Sequence, residues 1–373
     1  SAEEILSLSV CEPALGSGAF AIEAVRQLAD EYLSRREQEV GQRIDPDERP
    51  RELQKAKAAI ALHQVYGVDL NATAVELAEI SLWLDTMVDG LQAPWFGLRL
   101  RRGNSLIGAR RAVYTQKQVN DKAWLKDTPA DVPVSTLVDD MREGRIGSAT
   151  SGKIHHFLLP AEGWGSAVDA KEARELVPEA HTALREWRKR TRVKPSKKQL
   201  ERLVGLGHRV EALWQFALRR LEIAERQVSR ELTLWNDPRP AHEGDEAVVG
   251  RLEVEAFLND DSGAYRRLRR VMDAWCALWF WPLTDDLTQE TPPPNLDEWL
   301  DGITALIGGH SRATARKAGE GAQQFGLPTG WDDLAEAEKD DLDWSSALDV
   351  GDALASHPWL RVTERIAEAN GFF

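Results

Sequence analysis

Cysteine is almost missing from this chain: Cys11 and Cys276 are the only two in 373 residues. That excludes a disulfide framework and a cysteine-based zinc site, and it fits a reducing cytoplasm. Long apolar runs are missing as well. No stretch approaches the length of a membrane span and no secretory leader opens the chain, so no membrane partner is expected. Positive charge is in deficit, with 47 Lys and Arg against 61 Asp and Glu and a net charge of −14. This argues against the whole surface being a nucleic-acid binder and leaves room for a local basic face. There is no internal repeat. What is present is enough for a real core: 42% of residues are hydrophobic, and the length suits two domains or one domain with a large insertion. Fourteen tryptophans, concentrated after residue 80, read mainly as packing residues.

The chain is organised around Val10-Cys11-Glu12-Pro13-Ala14-Leu15-Gly16-Ser17-Gly18-Ala19-Phe20. Leu6, Leu8 and Val10 alternate into an acid, glycines follow two apart, and then a helical pattern begins. Strand, Gly-x-Gly turn and helix form a cradle for a nucleotide or nucleoside, because glycines let a ligand approach the backbone and a helix N-terminus offers free N–H groups. Tight strand-to-helix turns also need glycine on structural grounds alone. No Gly-Lys-Ser/Thr follows, so this is not a Walker phosphate loop. A dinucleotide site expects a third glycine and an acid about 20 residues on. Here the third glycine is missing and the next strand-ending acid, Asp69, stands 51 residues beyond Gly18.

Phe20 to about Arg36 has helical spacing, and Asp45-Pro46-Asp47 with Pro50 breaks it. A second helix is predicted from Arg51 to His63. Val65-Tyr66-Gly67-Val68-Asp69 reads as a buried strand. Asn71 to Val88 reads as an amphipathic helix with Ala74, Leu77, Ala78, Ser81 and Leu84 in register. Leu98 to Arg101 alternates as a third strand ending at Gly103-Asn104-Ser105-Leu106. Residues 5–108 therefore read as an α/β unit on a parallel sheet. Residues 119–150 are polar and read as a loop or lid. From 168 to 235 helical patterns dominate, and Val210, Leu213, Ala217, Leu221, Ala224, Val228, Leu232 and Trp235 step as in a helical hairpin or coiled-coil arm ended by Asn236-Asp237-Pro238. Further helices are predicted over Tyr265–Leu283, over Leu296–Leu306 and after Trp331, with no second strand-rich region.

Glu12 with Gly16 and Gly18, Asp69, and Asn104 follow three successive strands, and ligands of doubly wound sheets bind at the carboxyl ends of the strands. An acid closing the second strand suits a ribose, since a carboxylate accepts from both hydroxyls. Asn104 suits an adenine edge and Glu12 a positive group such as an ammonium. Asp69 and Asn104 also serve, on the blander reading, as caps of the next helix or turn.

Glu12 to Phe20 resembles motif I of adenine-specific DNA methyltransferases, whose usual form is Asp-Pro-Ala-Cys-Gly-Ser-Gly-x-Phe. Tyr66 to Asn71 with Ala74 to Ala78 is similar to their motif II, and Gly103 to Leu106 to motif III. The family binds S-adenosylmethionine and methylates adenine N6. The resemblance implies a cofactor site of Glu12, Ala14, Gly16, Gly18, Phe20, Asp69, Leu70, Asn104 and Leu106, in which the glycines line the methionine part, Asp69 holds the ribose, and Asn104 with Leu106 faces the adenine. Glu12 stands for the usual Asp and Leu15 for the usual Cys. It implies an α/β fold: a partial Rossmann-like class I methyltransferase sheet over 1–115, then a mainly α-helical insertion over 116–373. That insertion resembles those of methyltransferases from bacterial restriction-modification and phage-defence systems, DISARM among them.

The family's catalytic Asn/Asp-Pro-Pro-aromatic is absent, and Thr291-Pro292-Pro293-Pro294-Asn295 has its prolines without the acceptor or the aromatic. The segment preceding motif I is also missing, so the chain reads as an excised piece, cut again near Phe372-Phe373, with no catalytic residue assigned. Double-stranded DNA is the implied substrate. Arg185 to Lys198 is a dense basic run, either a solvated helix face or a phosphate contact. Arg266, Arg267, Arg269 and Arg270 form a second cluster beside a tryptophan helix, where packing of the stems is equally expected. His155-His156 lacks metal-ligand spacing, Gly308-Gly309-His310-Ser311 reads as a helix end, and Trp275, Trp279 and Trp281 read as core. Two other readings stay open: methyl transfer to RNA or protein, and a helical interaction module docking other proteins of a defence complex.

Overall fold

The computed structural model describes residues 1–88, 95–228, 232–238, 250–309, 327–328 and 330–372. The chain divides into two compact units, Ser1–Ile107 with Ala224–Val254, and Gly108–Ile223 with Glu255–Phe372.

The first unit opens with α1 (Ala2–Leu6), set by a capping box between Ser1 and Glu4. Leu6 is therefore helical and not part of the predicted strand, because the cap wins over a three-residue alternation. Then come β1 (Val10–Glu12), α2 (Ala19–Val40), α3 (Arg49–Gln64), β2 (Val65–Asp69), α4 (Ala72–Asp85) and β3 (Leu100–Arg102). The strands are parallel in the order β1-β2-β3, with Glu12 opposite Gly67 and Asp69 opposite Arg102. α2 runs four residues past its predicted end, to a left-handed Gly41, and buries Ala21, Val25, Ala29 and Leu33 while leaving Phe20 exposed. α4 is capped by Asn71 and buries Val75, Ala78 and Leu82. Leu77 and Leu84, predicted to face inward, are exposed. The helix is apolar on several sides, so periodicity alone does not choose the buried face. Fully burying Leu33, Ile60 or Leu82 contributes about 1.5–3 kcal/mol each.

In the second unit β4 (Ala112–Thr115) pairs antiparallel with β5 (Ala130–Asp131) and β6 (Lys153–His155). Between them lie α5 (Gln116–Asn120) and α6 (Val134–Arg142). The predicted loop over 119–150 is thus partly ordered structure, and a second, small sheet exists where none was expected. α7 (Ala173–Leu176), α8 (Pro178–Thr191) and α9 (Lys197–Val228) follow. Of the residues predicted for a helical hairpin or coiled-coil arm, Val210 to Val228 lie in α9, and Leu232 and Trp235 are not helical. α9 ends at Val228, whereas Leu232, Leu234 and Trp235 join the core of the first unit.

After α10 (Arg251–Asn259) come α11 (Ala264–Ala277), α12 (Asp285–Thr288), α13 (Leu296–Ile307), α14 (Trp331–Asp341), α15 (Val350–Ser356) and α16 (Pro358–Asn370). α11 stops at Ala277 and tightens into a 3-10 turn over Leu278–Phe280, short of the predicted Leu283. Tryptophan packs this unit. Trp164 stacks on Trp187 and meets Trp299 edge-on, and Trp299 meets Trp359. The indole N–H groups of Trp124, Trp275 and Trp299 donate to the carbonyls of Pro160, Leu159 and Leu158, which satisfies each ring's polar handle. No helix among the described residues is long and apolar enough to cross a membrane.

Candidate functional site

Parallel pairing puts the carboxyl ends of β1 and β2 side by side, and the chain after β1 folds back onto β2. The Leu15 N–H donates to Val68 O at 3.0 Å and the Gly16 N–H to Asp69 Oδ2 at 2.9 Å. Gly67 is what lets this happen: a Cβ there would lie 2.7 Å from Leu15 Cδ1, so a glycine inside the strand makes room for the buried Leu15. The other oxygen of Asp69, Oδ1, accepts from the Asn71 N–H at 2.8 Å. Both oxygens are thereby oriented, and roughly two of the four lone-pair positions of the carboxylate stay available.

β3 completes the edge. The Gly103 N–H donates to Asp69 O at 2.9 Å, which brings the Asn104 turn beside the end of β2. Asn104 Oδ1 accepts from the Leu106 N–H at 3.0 Å. Glu12 folds back on its own turn, Oε1 accepting from the Ala14 N–H at 3.1 Å. Phe20, Leu70 and Leu106, one after each strand, are 78%, 55% and 92% exposed. Exposed apolar side chains beside oriented polar groups suit a ligand with a flat apolar part.

The two glycines of the turn do different work. Gly16, at φ 53°, opens onto space in which an added Cβ meets nothing within 4 Å. Gly18, at φ 85°, is pressed against α4, and a Cβ there would lie 3.2 Å from the Ala78 Cβ. Gly18→Ala is expected to lower the thermal stability of the first unit by about 1–2 kcal/mol through the left-handed backbone alone, read as a shift in its melting transition.

The strand ends that carry Glu12, Asp69 and Asn104 are thus neighbours, with the Gly16 backbone bonded directly to Asp69. Sequence reasoning missed Gly67 and Asn71 as the residues that set this geometry. A glycine inside an apolar strand and an Asx residue before a helix were the available signals.

The remaining candidates lie elsewhere. Pro294 O accepts from the Trp187 indole at 2.7 Å, and Asn295 caps α13, so the proline run is an anchor. The second arginine cluster is consumed internally: Arg270 pairs with Asp261 and Glu364, Arg269 with Asp273, and Arg267 donates to the Leu306 and Leu348 carbonyls. His155 and His156 are buried, and among the described residues no group of three His, Cys, Asp or Glu could hold a metal. Gly308 ends α13 as expected, whereas His310 and Ser311 lie outside the described residues. Trp281 is buried, and Trp275 and Trp279 are partly buried and meet edge-on.

Residues 2–92 match the family model of the MmeI DNA-methyltransferase domain. Over 180 residues the chain is 27% identical to a Methanocaldococcus jannaschii protein described as "Putative type II restriction enzyme and methyltransferase", covering 43% of this chain and 13% of that protein. The chain therefore spans about an eighth of the length of that curated relative. The similarity is to DNA methyltransferases of the restriction-modification type. No solved structure matches.

Proposed function

We propose that the first unit binds S-adenosylmethionine and that the chain is the cofactor-binding part of a DNA methyltransferase acting on adenine N6. The observation that carries this reading is the bond from the Gly16 backbone to Asp69, which ties the glycine turn to an oriented carboxylate at the carboxyl edge of a parallel sheet. The residues present fit the cofactor. Asp69 has acceptor capacity left for a ribose diol, and Gly16 leaves open space where a Cβ would intrude. The side-chain amide of Asn104 keeps its donor side for an adenine edge, and Phe20, Leu70 and Leu106 supply apolar surface to cover it.

When bound, the cofactor supplies a methyl group on a positively charged sulfur. What this chain contributes is orientation: Asp69 fixes the nucleoside, Asn104 and the apolar side chains fix the base, and Glu12 offers negative charge to the amino-acid end. The Asn/Asp-Pro-Pro-aromatic that would hold the target amine is not in the sequence, so no residue here is assigned to catalysis. The chain alone is expected to bind cofactor without turnover.

Calorimetric titration with S-adenosylmethionine tests the reading. Wild type should bind, and Asp69→Ala should bind at least about tenfold more weakly, the effect of losing a charge-assisted hydrogen bond. Equal affinity of the two proteins, or no binding by wild type, overturns it.

A further inference from the structure

α8 buries His181, Leu184, Trp187 and Thr191, and this sorts the basic run by helix face. Arg185, Arg188, Lys189 and Arg192 recur at spacings of three and four along another stripe. That stripe lines a cavity of about 850 Å³ within the second unit. Lys194, Lys197 and Lys198, from the same run, do not line it. Lys122 and Lys126 do, from a segment some sixty residues earlier, and Arg174 of α7 adds a seventh cation. Among the described residues, two acids line the cavity with them, Glu162 and Asp169.

Those acids are already used. Asp169 pairs with Arg188 at 2.7 Å and Glu162 with Arg192 at 3.0 Å. Lys189 pairs with Glu186 at 2.8 Å. Among the described residues Lys122, Lys126, Arg174 and Arg185 make no ion pair. Even the paired arginines are incompletely satisfied: Arg188 Nε, Arg192 Nε and Arg192 Nη2 are buried with no hydrogen-bond partner. Burial, and then the neighbouring charge of Arg188, lower the Arg192 pKa from its ordinary value. Lys122 is held at φ 60°, a left-handed conformation uncommon for a lysine. Buried donors without acceptors, beside unpaired cations, suit an anion.

We propose that this cavity is a phosphate-binding site and that its occupant is the sugar-phosphate backbone of a nucleic-acid strand. Guanidinium groups match phosphate oxygens with paired donors, and the lysines add point charge. The stripe from Arg185 to Arg192 covers about 10 Å of helix axis. That exceeds one phosphate and suits a run of them. On a protein of net charge −14, attraction of a polyanion has to be local, and a concave site with low-dielectric walls concentrates it. The proposal deepens the reading in which DNA is the substrate, and it places the contact on three chain segments that no single sequence run reveals.

The test uses a fluorescein-labelled duplex of 25 base pairs and anisotropy across a range of salt. Lys122→Gln/Lys126→Gln/Arg185→Gln removes three exposed cations of the cavity. Lys194→Gln/Lys197→Gln/Lys198→Gln removes three from the same run outside it. The cavity variant should lose about tenfold or more in affinity, and its slope of log affinity against log salt should flatten by about 2–3. The control should stay within about twofold of wild type.

Equal losses in both variants overturn the proposal, as does a wild-type chain that binds no duplex. Binding of inorganic phosphate or a mononucleotide without duplex binding also overturns it, by assigning the cavity to a small phosphate. S-adenosylmethionine titration separates the two readings. The cavity variant should bind cofactor like wild type, and Asp69→Ala should bind duplex like wild type.

Discussion

Glu211→Ala is expected to destabilise the second unit by about 3–5 kcal/mol, because it leaves a buried guanidinium without its partner. Glu211, on α9, is fully buried. Arg111, which precedes β4, donates to both its oxygens, from Nε at 3.1 Å and from Nη2 at 2.7 Å. His155, the last residue of β6, stands with Nε2 3.0 Å from Oε1. Arg111 also reaches the Pro133 carbonyl and the Thr136 hydroxyl, at 2.7 and 2.8 Å. One carboxylate thus joins α9, the small sheet and the start of α6. Burial pushes its pKa up, and the donors on His155 and Arg111 outweigh that, so it sits below the ordinary carboxylate range.

Glu211→Gln should cost less, since it keeps an acceptor. Arg111→Met/Glu211→Leu should recover part of the loss, because removing both charges removes the desolvation penalty with them. Urea unfolding followed by tryptophan fluorescence reads the effect. Eleven of the fourteen tryptophans lie in the second unit and only Trp83, Trp95 and Trp235 in the first. A loss below about 1 kcal/mol for Glu211→Ala would show that the network does not hold the unit together.

Local signals made part of this fold legible. β2 is an apolar run closed by an acid, and its observed bounds are those predicted. α3 begins two residues before its predicted start, with Pro50 in its first turn, and α4 begins where its helical pattern is predicted to begin. The misses have equally local causes. Ser1 and Glu4 form a capping box that competes with the alternation of Leu6, Leu8 and Val10. α4 carries leucine and isoleucine on exposed positions, so its inner face, Val75, Ala78 and Leu82, is chosen by packing on α2 and the sheet. β4, β5 and β6 are two to four residues long, too short for alternation to register.

At the candidate site, the residue types and their order along the chain were legible. How Asp69 is held was not, because it depends on a backbone N–H 53 positions away. The basic run was legible as composition only. Which of its cations share a face with Lys122, Lys126 and Arg174 follows from α8 burying Leu184 and Trp187, a fact of tertiary packing.

Acid is expected to weaken the second unit between pH 6.5 and about 4, by about 3 kcal/mol from His156 alone. His156 is buried, with Nε2 3.1 Å from the Arg110 nitrogen and 2.9 Å from the Arg110 oxygen, and the Trp275 ring edge-on at 4.8 Å. Burial lowers its pKa from 6.5 to about 4, the Arg110 carbonyl and Asp131 opposing and the charges of Arg110 and His155 adding. A base whose folded pKa is depressed is neutral in the native state where the unfolded chain already binds a proton. Its contribution is therefore full above pH 6.5 and declines as pH falls, until the folded form protonates near 4. The fall from 6.5 to about 4, at about 1.4 kcal/mol for each tenfold change in proton affinity, gives the magnitude. His155, lowered mainly by burial against the pull of Glu211, acts in the same direction. Glu211 adds a separate loss at lower pH, since a depressed carboxylate stabilises only above its unfolded value near 4.5. His156→Gln keeps a polar group at the site and cannot titrate. Its stability should change by about 3 kcal/mol less than wild type between pH 7 and pH 4, measured as urea midpoints at those two values. Parallel curves for the two proteins would remove His156 as the titrating group.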